Sequence, residues 1–276
     1  DVSAADMFKE GLRVTPVKIW RRGEYCSDVA KLIANNTRDP NAILGDMEAQ
    51  TQAARIAERE LLRLCAKYSV STVKRAFQEV QDYVERAIRH RLRELPNGSW
   101  STTDYLDRDP SEKEGLIPIK IKLTIEDDRA VFDLTGSHST IKTIYNSAYG
   151  ATFSGVISGM KTFFPEVPLN AGVYRTLSIV VPDDTIVSAR WPVAVSGFVM
   201  PFEKIMNATF ALFSKIMPEK ALACAFNIEY LQTGGYDISS QAKPFFMYYD
   251  WLAGGWGGRN GKDGLSVTAS PFGVGL

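Results

Sequence analysis

An α+β fold, helices combined with a mixed or antiparallel sheet, is what this 276-residue sequence predicts, on three observations. A long early stretch repeats apolar residues at helical spacing, a central stretch alternates apolar with polar residues, and the later part carries short apolar runs between proline and glycine. We expect residues 1–98 to be mainly helical, a helical hairpin packed on residues 99–276, which hold the sheet and its intervening helices.

Asp39-Pro40 starts the first long helix, because aspartate caps free amides and proline suits the first turn. Leu44, Met47, Ala54, Ala57, Leu61, Leu64, Cys65 and Tyr68 then follow helical periodicity. A second amphipathic run carries Val73, Ala76, Phe77, Val80, Val84, Ala87, Ile88, Leu92 and Leu95, and stops at Pro96-Asn97-Gly98. Few residues join the two runs, so they are expected to lie antiparallel. Arg86, Arg89, His90, Arg91 and Arg93 make the second run basic, but Glu79, Asp82, Glu85 and Glu94 share it. A solvated face laced with ion pairs is therefore expected.

Residues 117–125 alternate, and 130–134 follow across Glu126-Asp127-Asp128-Arg129, which predicts a β-hairpin. Residues 148–164 are apolar with small residues and end at Pro165, as a buried helix would. Strands are expected at 177–181 and 186–195, separated by Pro182-Asp183-Asp184. A helix at 201–217 precedes Pro218, and strands at 224–231 and 245–252 flank the polar turn 234–243.

Charge and composition exclude several functions. Thirty-two basic and 32 acidic residues cancel, so no electrostatic footprint for nucleic acid exists. No apolar run reaches the ~18 residues of a membrane span. The first nine residues lack the pattern of a secretory signal. Cys26, Cys65 and Cys224 are few and scattered, which fits buried thiols in a reducing cytoplasm rather than a disulfide framework. The two histidines, His90 and His138, have no second His or Cys at ligand spacing, so no metal site is expected within this chain. Asp133, His138 and Ser139 lie close together without a nucleophile-elbow pattern.

Six of the eleven residues at 254–264 are glycine, directly after an apolar run. Such a segment loses much chain entropy on ordering, so something must hold it. It is not a P-loop, because Trp256 stands where the first glycine belongs and Asp263 where Ser or Thr belongs. Nor is it a dinucleotide fingerprint, because Asn260 replaces the third glycine. Two readings remain: a tight turn joining sheet elements, or a backbone pressed against a ligand or partner.

Further short patterns occur in order along the chain. They are Glu10-Gly11-Leu12-Arg13 with Pro16-Val17-Lys18, Asn35-Asn36-Thr37-Arg38, and Gly45-Asp46-Met47-Glu48-Ala49-Gln50. Asp133-Leu134-Thr135-Gly136-Ser137, Asn146, Pro168-Leu169-Asn170-Ala171-Gly172 with Tyr174-Arg175, Gly234-Gly235 and the glycine-rich segment complete the series. In this order and spacing, from Glu10 to Asp263, the sequence resembles the hydantoinase B family of N-methylhydantoinase, 5-oxoprolinase, and acetone and acetophenone carboxylase subunits.

The resemblance implies an ATP-dependent enzyme in which a hydantoinase A-type partner hydrolyses ATP and phosphorylates an unreactive carbonyl or enol oxygen. This chain would then serve ketone carboxylation or cyclic-amide hydrolysis, in a hetero-oligomer that shelters the labile species from water. The Trp-bearing form of the glycine-rich segment looks closer to the carboxylase branch. Family members are longer and carry a His- and Asp-rich stretch upstream, so an internal fragment is expected, with any divalent metal held by residues absent from this chain. The substrate, a small carbonyl compound or cyclic amide, is expected at Gly257, Gly258, Arg259, Lys262 and Asp263, with Arg259 and Lys262 as anion contacts and Asp263 orienting them. Asn35, Arg38 and Asp46 form a second candidate cluster, which a helix cap with an internal ion pair explains about as well. The competing class is a non-catalytic scaffold that binds the partner.

Overall fold

The computed structural model describes residues 3–107, 115–224, 229–252 and 254–266. A two-residue turn at Arg22-Gly23 joins strands β1 (Trp20–Arg21) and β2 (Glu24–Tyr25), and helix α1 (Ser27–Ala34) follows. These elements are too short to show a period in sequence. Helix α2 (Pro40–Tyr68) starts as expected: Asp39 accepts from the Ala42 N–H at 3.0 Å, and Pro40 lies in the first turn. Ser69 alone separates it from α3 (Val70–Arg93), capping α3 through its hydroxyl at φ 72°.

The apolar stripe of α2 does not enter the core. No α2 residue is buried, and Leu61, Leu64, Val70, Phe77 and Val80 stand exposed. One joining residue is fewer than the ~2–5 used by helical hairpins. Instead, the second half of α3 packs on the sheet, burying Val84, Ile88 and Leu92 in the main core. Its polar face is laced with ion pairs, including Arg89–Glu85 at 2.9 Å and Arg75–Glu79 at 3.5 Å.

The sheet has the order β3 (Gly98–Leu106), β4 (Ile117–Glu126), β5 (Arg129–Asp133) and β6 (Leu177–Val180). The first three strands are antiparallel, and β6 runs parallel to β5. The 117–134 hairpin is as expected, with Asp127 at φ 51° in its turn. Alternation on β4 buries Ile117, Ile119, Ile121, Leu123 and Ile125, and exposes Lys120, Lys122 and Glu126. Strand β3 carries no such signal: its Ser- and Thr-rich sequence becomes a strand by pairing along β4. At the end of β5, Asp133 accepts the Thr135 N–H at 2.9 Å, and the Thr135 side chain and amide hold its carboxyl below the usual range.

Helix α5 (Val199–Ile216) packs on β3 and β4, and helix α4 (Tyr149–Phe163) packs on α5. Gly155 meets Phe202 and Ile205, Gly159 meets Met206 and Thr209, and Phe163 meets Phe210 and Phe213. Contact partners that advance together along both chains mean that the helices run parallel. A Cβ on Gly159 would lie 2.6 Å from Thr209 Cβ, so glycine is what lets them approach.

Residues 186–195 do not form the expected strand. Ile186 and Val187 are fully buried, but their segment bonds to loops: Ile186 N–H to His138 O (2.9 Å) and Ser147 N–H to Ile186 O (2.7 Å). The buried Asn146 side chain completes this knot, accepting from Ile141 N–H and donating to Ile141, Thr143 and Ala194 carbonyls. Apolar character here reported burial, and burial needed no ladder.

The 168–175 pattern clamps α3. Asn170 Nδ2 donates to Val80 O at 3.2 Å, and Arg175 pairs with Asp82 (2.6 Å) and Glu85 (3.2 Å). A Cβ on Gly172 would lie 2.1 Å from Gln81 O. Finally, β7 (Glu229–Tyr236) and β8 (Phe245–Leu252) form an antiparallel ribbon. Of the strand expected at 224–231, Cys224 lies outside β7 and residues 225–228 lie outside the described ones.

Candidate functional site

Because α4 and α5 run parallel, their C-terminal ends come together, and each is followed by a proline and a glutamate, Pro165-Glu166 and Pro218-Glu219. The glycine-rich segment packs over these ends and closes a cleft of about 470 Å³. Phe163, Leu222, Trp256 and Leu265 supply its apolar walls; Thr162, Glu166, Glu219, Lys220, Arg259, Asn260 and Lys262 supply its polar ones. Trp256 packs against Phe210 with ring centroids 5.8 Å apart, which ties the segment to the core.

The segment is held by main-chain hydrogen bonds, to itself and to residues 223–224. Trp256 N–H bonds Leu265 O (2.9 Å), Gly257 N–H bonds Cys224 O (2.8 Å), and Ala223 N–H bonds Gly258 O (3.1 Å). A Cβ on Gly264 would stand 1.6 Å from Trp256 O, and one on Gly257 would stand 2.6 Å from Cys224 N. Glycine is required at both positions because the chain folds tightly on itself. Gly257 lines the cleft, whereas Gly258 and Asp263 are exposed and do not line it.

Arg259 and Lys262 exchange backbone hydrogen bonds, both 3.0 Å, across the corner Asn260-Gly261, where Gly261 has φ 68°. A hydrogen-bonded antiparallel pair has Cα atoms about 5.5 Å apart with both side chains on one face. Two like charges are thereby placed directly opposite each other, an unfavourable arrangement. Neither makes an ion pair among the described residues. The nearby cations differ, because they serve the carboxyl end of α4, where backbone carbonyls lack partners. Lys161 donates to Phe164 O and Pro165 O, at 3.0 and 2.6 Å, and Lys220 reaches Phe163 O at 3.5 Å. Of the acids, Glu166 is engaged by Arg91 at 2.9 Å. The cleft thus offers two uncommitted cations, an amide at Asn260 and an aromatic wall, which suits an anion with an apolar body.

The second predicted cluster is not assembled. Asn35 ends α1 through its backbone N–H to Lys31 O at 2.9 Å. The Arg38 guanidinium lies over the Phe245 ring, 5.6 Å from its centroid, beside a hollow lined by Gly234 and Tyr236. Asp46 is exposed on α2, and no ion pair joins it to Arg38. Glu166, Lys220 and Leu222 escaped sequence reasoning; the repeated helix-Pro-Glu pattern was the available signal. His138 Nδ1 meets the Ser139 carbonyl at 2.8 Å, while Asp133 is taken by Thr135, so no triad forms. Among the described residues no group of three His, Cys, Asp or Glu fits a metal ion, and no helix is long and apolar enough to cross a membrane.

A protein of Pseudomonas sp. (strain NS671), named as a putative D-/L-hydantoinase of the B type, is 26% identical over 280 residues, covering 97% of this chain and 46% of that protein. The caprolactamase beta chain of Pseudomonas jessenii is 29% identical over 265 residues, covering 95% of this chain and 45% of that protein. The crystal structure of the ATP-dependent caprolactamase from the same organism superposes with a TM-score of 0.83 at 28% identity, over 96% of this chain and 46% of that one. A nucleotide-free acetone carboxylase structure shares the fold, with a TM-score of 0.86 at 17% identity over 97% of this chain and 38% of that one. The chain spans about half the length of the curated relatives it matches. The family model described as hydantoinase B/oxoprolinase matches residues 1–274, and the chain belongs to that family.

Proposed function

We propose that this chain forms part of the B-type component of a multi-subunit, ATP-dependent enzyme, and that its cleft binds the anionic intermediate made by a hydantoinase A-type partner. The single observation that carries this reading is the pair Arg259 and Lys262, like charges set opposite each other by their backbone pairing at the cleft, with no ion pair to either among the described residues. An anion between them converts mutual repulsion into attraction.

Of the two chemistries open to the family, we take the opening of a cyclic amide. Its support is likeness to the proteins named as a B-type hydantoinase and a caprolactamase beta chain, at 26% and 29% identity, and to the caprolactamase structure at 28%. In that reading the partner transfers the terminal phosphoryl group of ATP to the amide oxygen. Arg259 and Lys262 hold the phosphoryl oxygens, and Trp256 and Leu222 keep bulk water from the activated ring until hydrolysis.

The test is Arg259→Ala combined with Lys262→Ala in the full-length, assembled enzyme. We expect ATP-dependent turnover to fall about a hundredfold while the subunits stay associated. Full turnover in an intact assembly would show that this region only scaffolds the complex.

A further inference from the structure

The cleft is lined by a carboxylate as well as by its two cations, and an arginine of α3 engages that carboxylate. Glu166 lines the same cavity as Arg259 and Lys262, on the segment that leaves α4. Its side chain is half exposed and free to swing, yet Arg91 of α3 engages it, Nε to Oε1, at 2.9 Å. The Arg91 Nε atom is buried and lacks an aligned acceptor, so the contact is an ion pair rather than a directed hydrogen bond. The Arg91 guanidinium is fixed from two other sides. It lies 5.8 Å from the centroid of Phe164, a buried ring, and pairs with Glu94 one turn along α3. Glu219, the other acid of the cleft, is exposed and makes no ion pair among the described residues.

We infer that Arg91 is a positioning residue that holds Glu166 away from Arg259 and Lys262, so that those two cations remain available to the ligand's phosphate or carboxylate. This rests on the anion-binding reading above. Arg91 touches no ligand in this scheme. It acts by setting where one competing negative charge sits, since an intramolecular carboxylate at close range outcompetes dilute free anion.

Binding of inorganic phosphate to the full-length, assembled enzyme, followed by 31P line broadening, tests this with four variants. Arg91→Met should weaken phosphate binding about fivefold or more, because a released carboxylate nearby opposes the anion. Arg91→Met with Glu166→Gln should restore it to within about twofold of Glu166→Gln alone. A purely structural role for Arg91 would not be rescued in this way. Unchanged binding in folded Arg91→Met overturns the inference, and so does a double variant that binds much more weakly than Glu166→Gln. The latter comparison stands even if Arg91→Met alone does not fold. Arg259→Ala with Lys262→Ala is the fourth variant: if phosphate binding survives it, the anion site itself is refuted, a failure distinct from that of Arg91.

Discussion

Replacing Gly264 by alanine separates two accounts of the glycine-rich segment, a ligand cradle and a chain folded on itself. The added Cβ would sit 1.6 Å from Trp256 O, where real contacts essentially never fall below 3.0 Å, so the strands of the loop must part by at least 1.4 Å. The hydrogen bond between Trp256 N–H and Leu265 O, now 2.9 Å, cannot survive that displacement unaltered. Loss of one or two backbone bonds at ~1 kcal/mol each, with partial loosening of Trp256 from Phe210, amounts to about 2–4 kcal/mol. If the domain melts as a unit, each kcal/mol lowers Tm by about 2–4 °C. If only the loop opens, the same energy appears as faster hydrogen exchange at Trp256 and Gly257, with the main core unaffected. Both readouts are taken without any ligand. Gly264→Ala with unchanged melting and unchanged exchange would refute the self-packing account and return the glycines to a ligand's service.

Three other outcomes follow from the packing and charge of the fold. Phe213 is fully buried against Phe132, Phe163 and Phe164, so Phe213→Ala should cost about 3–5 kcal/mol in urea denaturation. Asp39→Ala removes the α2 cap and should cost about 1 kcal/mol; because α2 buries no residue, the loss should appear as exchange at its first turn with little change in global stability. Arg175 holds the Asp82 carboxyl below its usual range, with help from Gln78, while Arg89 and then Arg175 do the same for Glu85. Depressed folded values mean that the unfolded chain takes up protons first. The stabilisation is therefore present above the ordinary carboxylate range, near pH 4, and is lost as pH falls through the lower folded values. Arg175→Met should flatten that acid limb in a stability-versus-pH series, and an unchanged limb would count against the clamp.

Much of the architecture was legible because it rests on local periodicity. Ile117 through Ile125 can bury alternate side chains only as a strand, and the Asp39-Pro40 start needs no tertiary help. Where apolar character lacked a period, the reading failed: Ile186 and Val187 are buried in loops, and the polar strand β3 is recruited by its neighbour. Several of the short patterns that pointed to the family are structural. Asp133 closes a turn, Gly172 and Arg175 clamp α3, and the Glu10 carboxylate accepts from the N–H groups of Val195 (2.7 Å) and Ser196 (2.6 Å). The glycine-rich segment was conspicuous in sequence, but the reason for its glycines was not, since a close approach of main chain to main chain leaves no periodic trace.

By itself the sequence determined the periodic elements α2, α3, the 117–134 hairpin, α4 and α5, the balanced charge and the family pattern, because propensity, alternation and motif spacing are properties of neighbours along the chain. Tertiary structure alone decided that α4 and α5 run parallel, that their carboxyl ends meet beneath residues 254–266, and that Glu166, Lys220, Arg259 and Lys262 share one cleft. The physical reason is range: helices and strands are written within a few residues, whereas this cleft joins side chains about a hundred positions apart, brought together by glycine contacts between two helices that no local pattern specifies.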